Sequence, residues 1–411
     1  MSHANPADRL AIDGGLPVRS APWPDWPAVT PTEWRTRIAP RLREVYLSGT
    51  EGLPGPRARG FAAEFAQRCG AAHGVLTPHG TDALMAALAG VLDLDGIGDG
   101  GEVICPNYTF IASASAALAV RCRVHFVDID PRSLTVAPAA VEAAIGPDTV
   151  GVVAVHLGGH AADLAALTAV CARHGLALVE DCAQAHGAAC HDRPVGALGD
   201  AGAFSFQSSK NLTAGEGGLV TTNDFETYER IASFVDVGRR PGGERWEYPR
   251  LGWNYRPSEY LAALLQARLD RFDELHERRA RNAARLTGLL SAIEGITPPA
   301  LVHGCTRHAW HLYILRYDPR AFGGRGRAEF LAALGAEGVL CSPGYTLPLS
   351  AQPAFVGLRE QYAGLLAGGD CPATRDACEH TVWLPQRVLL AAPAAMDDIA
   401  EAVAKIQRAW G

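Results

Sequence analysis

Lysine is almost absent from this chain. Only Lys210 and Lys405 occur, within a total of 37 lysines and arginines. Arginine copies lysine's charge but stays protonated, whereas a buried lysine amine can lose its proton and attack a carbonyl. Lys210 lies in the densest cluster of glycine, serine and aromatic residues, Phe204 to Gly218, and its retention there points to Schiff-base chemistry. Lys405 reads as an ordinary surface lysine.

Other absences narrow the field. No apolar run reaches the roughly eighteen residues of a membrane span, so no membrane partner is expected. Met1 to Arg9 carries no apolar signal-peptide core, which predicts a cytoplasmic protein. The net charge of −7 leaves no basic excess, so nucleic acid is not an expected partner. Ten cysteines are present, but no pair has C-x-x-C spacing. Cys371 with Cys378 and Cys182 with Cys190 fit no zinc pattern, which predicts reduced, mostly buried thiols and no metal site.

What is present is a large chain of 411 residues, 48% hydrophobic, long enough for two domains. Residues 1–55, rich in proline and tryptophan around Pro22 to Pro27, predict an extended arm laid on the same or a neighbouring subunit. Residues 56–260 predict a large α/β domain. Its apolar segments lack polar alternation and are separated by helical stretches, which implies a mostly parallel seven-stranded sheet between helices. Residues 261–411 predict a linking helix and a smaller C-terminal α+β domain. The helix, Tyr260 to Leu290, carries central charges that suit a solvated face.

In open α/β sheets ligands bind beyond the carboxyl ends of strands. Asp181 ends the strand Leu176 to Asp181 and would point into such a site. There a carboxylate could hold the protonated ring nitrogen of pyridoxal phosphate, or simply cap a helix or bind a metal. Gly80, Thr81 and Asp82 follow a strand and open a helix, an arrangement that suits a phosphate or plain capping. Ser205 lies five residues before Lys210 and offers another phosphate hydroxyl. Gly215, Gly217 and Gly218 let the backbone turn closely past a ligand. Anion cradle, strand-end acid and lysine follow one another in the order of a fold type I pyridoxal phosphate enzyme.

Four stretches then carry a resemblance: Glu180 to Gly187, Phe204 to Gly218, Val155 to Gly159 and Leu251 to Arg256. On these the chain resembles the DegT/DnrJ/EryC1/StrS aminotransferases, over nearly its whole length. The resemblance implies a fold type I PLP-dependent transferase with Lys210 as the Schiff-base lysine and Asp181 at the ring nitrogen. It further implies Gln184 near the phenolic oxygen, Phe110 stacked on the ring, and Thr81, Asp82 and Ser205 at the phosphate. Asn254 would reach the cofactor of a neighbouring subunit, which implies a homodimer with shared active sites. Lys210 argues against the branch that carries histidine there and performs dehydration. His79 departs from the serine or asparagine of many members.

Gly14 to Arg19, and Cys371 to Pro385, are similar to the aminocyclitol branch. That implies transfer from L-glutamine or L-glutamate to a keto-cyclitol or keto-sugar. A 3-amino-5-hydroxybenzoate synthase, a nucleotide-sugar aminotransferase and a non-catalytic ligand sensor remain alternatives. His311 and Tyr345 are candidates for a substrate wall or for core packing.

Overall fold

Apolar β-branched segments pair edge to edge into one large twisted sheet. The computed structural model describes residues 9–49, 55–94 and 99–411. The sheet runs in the order His73–Thr77, Gly218–Thr222, Ala201–Ser205, Ala177–Asp181, Thr149–Val155, Glu102–Pro106, Arg123–Val127, Leu366–Gly368. Gly218–Thr222 runs antiparallel to both its neighbours, and the other pairings are parallel. The seven expected strands are therefore joined by an eighth. Leu366–Gly368 comes from the C-terminal part of the chain and was too short to show a strand pattern.

Both faces are apolar because alternate side chains point to opposite sides. Val152 and Leu178 pack with Phe61, Phe65 and Phe204 on one face. Val153 and Val179 pack with Leu84, Leu88 and Phe234 on the other. A second, three-stranded sheet orders Ile296–Thr297, Leu312–Tyr317 and Thr381–Pro385. It shares a separate core with the C-terminal helix Ala394–Trp410.

The expected single helix from Tyr260 to Leu290 is two helices, Glu259–Leu269 and Phe272–Leu290. The chain breaks at Asp270 and Arg271, and Asp273 and Glu274 then sit in the first turn of the second helix, where its dipole favours acids. Nor are the central charges all solvated, since Arg279 is 0% exposed.

The arm departs further from expectation. Residues 1–8 and 50–54 lie outside the described residues, but Pro31 to Ser48 is helical throughout. Proline does not prevent this: Pro31 occupies a first-turn position that needs no N–H donor, and Pro40 falls where the wider π turns of Trp34–Ile38 give way to the α-helix Ala39–Ser48. Thr30 caps the start by accepting from the Glu33 N–H at 3.0 Å. Earlier in the arm, the Glu337 carboxylate accepts from the Ala11 and Val18 N–H groups at 2.8 and 3.0 Å. Lys405 completes the clasp, donating to Glu337 at 3.0 Å and to the Leu16 carbonyl at 2.7 Å. Lys405 is thus not a surface lysine; it is buried and ties the arm to the body of its own chain.

All ten cysteines are free, and all but half-buried Cys341 are buried. Among the described residues no helix is long and apolar enough to cross a membrane.

Candidate active site

Strand ends assemble the site. Asp181 terminates the strand Ala177–Asp181 and is only 5% exposed. Its Oδ2 accepts from the Ser113 hydroxyl at 2.7 Å, and its Oδ1 accepts from the Ala183 N–H at 3.1 Å. Ser113 in turn contacts the Thr109 hydroxyl at 3.1 Å. The carboxylate is therefore fixed in orientation before any ligand arrives.

Three strands away, Thr77 leads into the helix Gly80–Val91, whose N-cap His79 offers no side-chain cap. Among the described residues nothing takes up the N–H groups of Gly80, Thr81 and Asp82. Ser205 presses against this turn: a Cβ on Gly80 would lie 2.5 Å from the Ser205 Cβ. A Cβ on Gly218 would lie 2.2 Å from the His79 carbonyl oxygen. Glycine at both positions lets the helix start, the serine and the returning strand converge. Free N–H groups at a helix start beside a hydroxyl form a cradle for a phosphate.

Lys210 follows Ser205 on a tight loop. Its N–H donates to the Gln207 carbonyl at 2.9 Å, and Arg268 braces the loop by donating to the Thr213 carbonyl at 2.5 Å. The residue is half-buried and lines the cavity. Burial lowers its amine from 10.5 to about 8, with the nearby Asp181 charge pulling the other way. A substantial neutral fraction near physiological pH is what a nucleophilic lysine needs.

These groups face a cavity of about 870 Å³. Gly80, Thr81, Asp82 and Ser205 line its anion-binding end. Asp181, Gln184 and Lys210 line its middle, and Phe110, 57% exposed, forms an open wall. Gln184 is held by the Gly158 N–H at 2.7 Å and donates to the Tyr345 hydroxyl at 3.4 Å. Asn254 is the exception. It is solvent-exposed, bridges to Asp236, and does not line this cavity within its own chain.

Tyr345 and His311 both line the cavity. His311 is buried, and its Nδ1 has no hydrogen-bond partner among the described residues. Burial, reinforced by Lys210, holds it well below the usual histidine range. His186, packed among Phe65, Phe204 and Phe206, is pushed down to about 3, mainly by burial. Both imidazoles are thus neutral, so they add no charge to compete with Lys210.

The sequence reading missed Ser113 and Trp26. Ser113 lies in an alanine-rich helix with no motif around it. Trp26 belongs to the arm, yet its Nε1–H donates to the Lys210 carbonyl at 3.2 Å and its ring lines the cavity. Only the Trp-Pro pattern hinted that the tryptophans need covering.

One buried cluster outside the cavity is purely structural. His156, Glu180 and Cys182 lie within 4.8 Å of one another. However, His156 Nδ1 accepts from the Ala162 N–H, so its Nε2 donates to Glu180. Glu180 also accepts from the Gly196, Leu198 and Gly199 N–H groups. The strong lone pairs are already in use.

The sheet, with its strand-end acid and half-buried lysine, is that of the fold type I transferases. Its likeness to solved structures is close: the 3-amino-5-hydroxybenzoic acid (AHBA) synthase structure superposes with a TM-score of 0.83 at 30% identity, over 95% of this chain and 99% of that one. The DegT/DnrJ/EryC1/StrS aminotransferase family matches residues 33–404, and the chain belongs to that family. It is 39% identical over 420 residues to a putative L-glutamine:3-amino-2,3-dideoxy-scyllo-inosose aminotransferase of Streptoalloteichus tenebrarius, covering 97% of this chain and 98% of that one. It is 38% identical over 426 residues to the L-glutamine:2-deoxy-scyllo-inosose aminotransferase of Streptomyces lividus, covering 98% of each.

Proposed function

We propose that this chain is a pyridoxal phosphate-dependent aminotransferase that moves the amino group of L-glutamine onto a keto-cyclitol, in the biosynthesis of an aminoglycoside-type metabolite. The observation that carries the reading is the placement of Lys210, its amine lowered to about 8, beside Asp181 in a cavity that ends in an open helix start. The donor and acceptor follow from the names of its relatives.

The residues present fit the cofactor. The N–H groups of Gly80, Thr81 and Asp82 with the Ser205 hydroxyl would hold its phosphate. Asp181 would hold the ring nitrogen, Gln184 would lie near the phenolic oxygen, and Phe110 would cover a ring face. When bound, pyridoxal phosphate supplies a carbonyl for amines and an electron sink for the carbanion at the reacting carbon.

The protein's share of the chemistry is proton transfer and orientation. The Lys210 amine would move the donor Cα proton to the bound cofactor, which would keep the amino group, while water would supply the oxygen of the departing 2-oxo acid. In the second half-reaction Lys210 returns a proton to the former carbonyl carbon of the acceptor, which leaves as the amine. Asp181, held by Ser113 and Ala183, keeps its charge fixed throughout both halves.

In this reading residues 56–260 carry the cofactor residues and residues 261–411 add substrate walls. Asn254 serves the site of a second copy, making a homodimer, and the enzyme works in the cytoplasm. A carbocycle-aromatising reaction is a second reading, supported by the likeness to AHBA synthase at lower identity.

The test begins with purified protein and pyridoxal phosphate, reduced with borohydride and digested for mass spectrometry. A cofactor adduct on the Lys210 peptide is expected. L-Glutamine should then discharge the visible absorption of the loaded enzyme, and 2-deoxy-scyllo-inosose should restore it with formation of the amino-cyclitol. No adduct on Lys210 would sink the cofactor assignment. An adduct that L-glutamine leaves unchanged would sink the donor.

A further inference from the structure

Trp26 is separated from Lys210 by 184 residues, yet its Nε1–H donates to the Lys210 carbonyl at 3.2 Å. The Arg279 guanidinium sits over the same indole, 4.9 Å from the ring centroid. The ring is thus pinned twice, by its edge and over its plane, while it also lines the cavity.

Arg279 is unusual in its own right. It is fully buried, and its Nε donates to Gln386 Oε1 at 2.7 Å. Its two terminal nitrogens have no hydrogen-bond partner among the described residues. Burial lowers it to about 9, which leaves it cationic at neutral pH. A buried cation with an incomplete shell is costly, and the negative face of an indole is one of the few groups that offsets the cost without a counter-charge. Gln386 lines the cavity as well. Arg279 therefore fastens two parts of the wall, the indole from the arm and the amide from the loop after Thr381–Pro385.

We infer that Trp26 is the stacking platform for the acceptor ring, held in position by Arg279. The inference rests on the keto-cyclitol reading above. A cyclohexanone whose hydroxyls are all equatorial carries only hydrogens at its axial positions, so both its faces are apolar and match a flat aromatic surface. A pinned indole loses little freedom when such a ring arrives, so its contact energy goes into binding. The hydroxyls around the ring edge are left to polar side chains such as Gln386. L-Glutamine is linear and offers no such face. Stacking on Trp26 thus favours the acceptor over the donor.

The experiment uses the full-length, cofactor-loaded enzyme and measures each half-reaction separately. In Trp26→Ala the kcat/KM for 2-deoxy-scyllo-inosose should fall at least about tenfold, mostly through KM. The L-glutamine half-reaction should slow by less than about threefold. Trp26→Phe, which keeps a flat ring but loses the Nε1–H, should recover most of the acceptor KM. Arg279→Lys, which keeps a cation but not a planar one, should raise acceptor KM in the same direction as Trp26→Ala. Equal slowing of both half-reactions in Trp26→Ala, or failure of Trp26→Phe to recover KM, would overturn the inference and leave the arm a structural brace. A wild-type enzyme inert to L-glutamine would instead overturn the donor assignment of the proposed function.

Discussion

The Ser113 hydroxyl donates to Oδ2 of Asp181 at 2.7 Å, from a helix 68 residues earlier in the chain. A carboxylate that must face a ring nitrogen cannot be allowed to rotate, and this bond with the Ala183 N–H removes that freedom. Asp181→Asn should retain the fold but lose about 100-fold or more in turnover, the usual scale for removing a preorganised charge. Ser113→Ala should cost about tenfold, as for one hydrogen bond to a charged group. Steady-state kinetics with the adduct on Lys210 confirmed in each variant checks both.

The pH dependence of Lys210 follows from its surroundings. Burial lowers its amine to about 8 from 10.5, so the reactive neutral form appears roughly where other lysines are still protonated. The rate of pyridoxal phosphate capture by the unloaded enzyme should rise through about pH 8 and level off above it. Asp181 raises the value, so Asp181→Asn should move the midpoint lower still. A midpoint near that of free lysine would show that the amine is not crowded in solution. Stopped-flow absorbance across the neutral to alkaline range measures it.

The buried pair Lys405 and Glu337 anchors the arm that carries Trp26. Lys405→Met leaves Glu337 as a buried charge with only the Ala11 and Val18 N–H groups. Breaking such a pair costs about 3–5 kcal/mol, which urea unfolding should detect. Faster proteolysis of the arm should accompany it, because the clasp also holds the Leu16 carbonyl.

Glu180 makes an acid-sensitive support under the strand that ends in Asp181. Burial alone would raise its carboxyl, but His156 and the Gly196 and Gly199 N–H groups outweigh burial and hold it below its ordinary value. A depressed folded value stabilises the protein above the unfolded carboxylate range, and that contribution disappears as pH falls through the folded value. Glu180→Gln should lower the Tm at neutral pH and flatten its decline in acid. Calorimetric melting across the acid range is the check.

Asn254 tests the shared site. It is exposed and outside the cavity of its own chain. If it serves a second copy, Lys210→Ala and Asn254→Ala proteins, each impaired alone, should recover activity when unfolded together and refolded. No recovery in the mixture would place each site within one chain.

Much of this was legible in the sequence because local rules govern it. Apolar runs such as Val150 to Val155 had to become buried strands, since nothing in them suits water. The strand-end position of Asp181 and the glycines around Lys210 carry their geometry in the chain itself. Where local rules met competition, the reading failed. The prolines and tryptophans of Pro22 to Pro27 suggested an extended arm throughout residues 1–55, yet just beyond them Pro31 takes a first-turn position and starts a helix.

By itself the sequence determined seven strands of the large sheet and the order of helix-start glycine, strand-end acid and lysine, because each depends on neighbours along the chain. Only the tertiary structure decided what surrounds them. Lys405 on Glu337, Ser113 on Asp181 and Trp26 on Lys210 join residues far apart in sequence, and no local pattern marks which residue pairs with which. Such contacts arise when packing brings polar groups out of water and each must find whatever partner the fold has placed beside it.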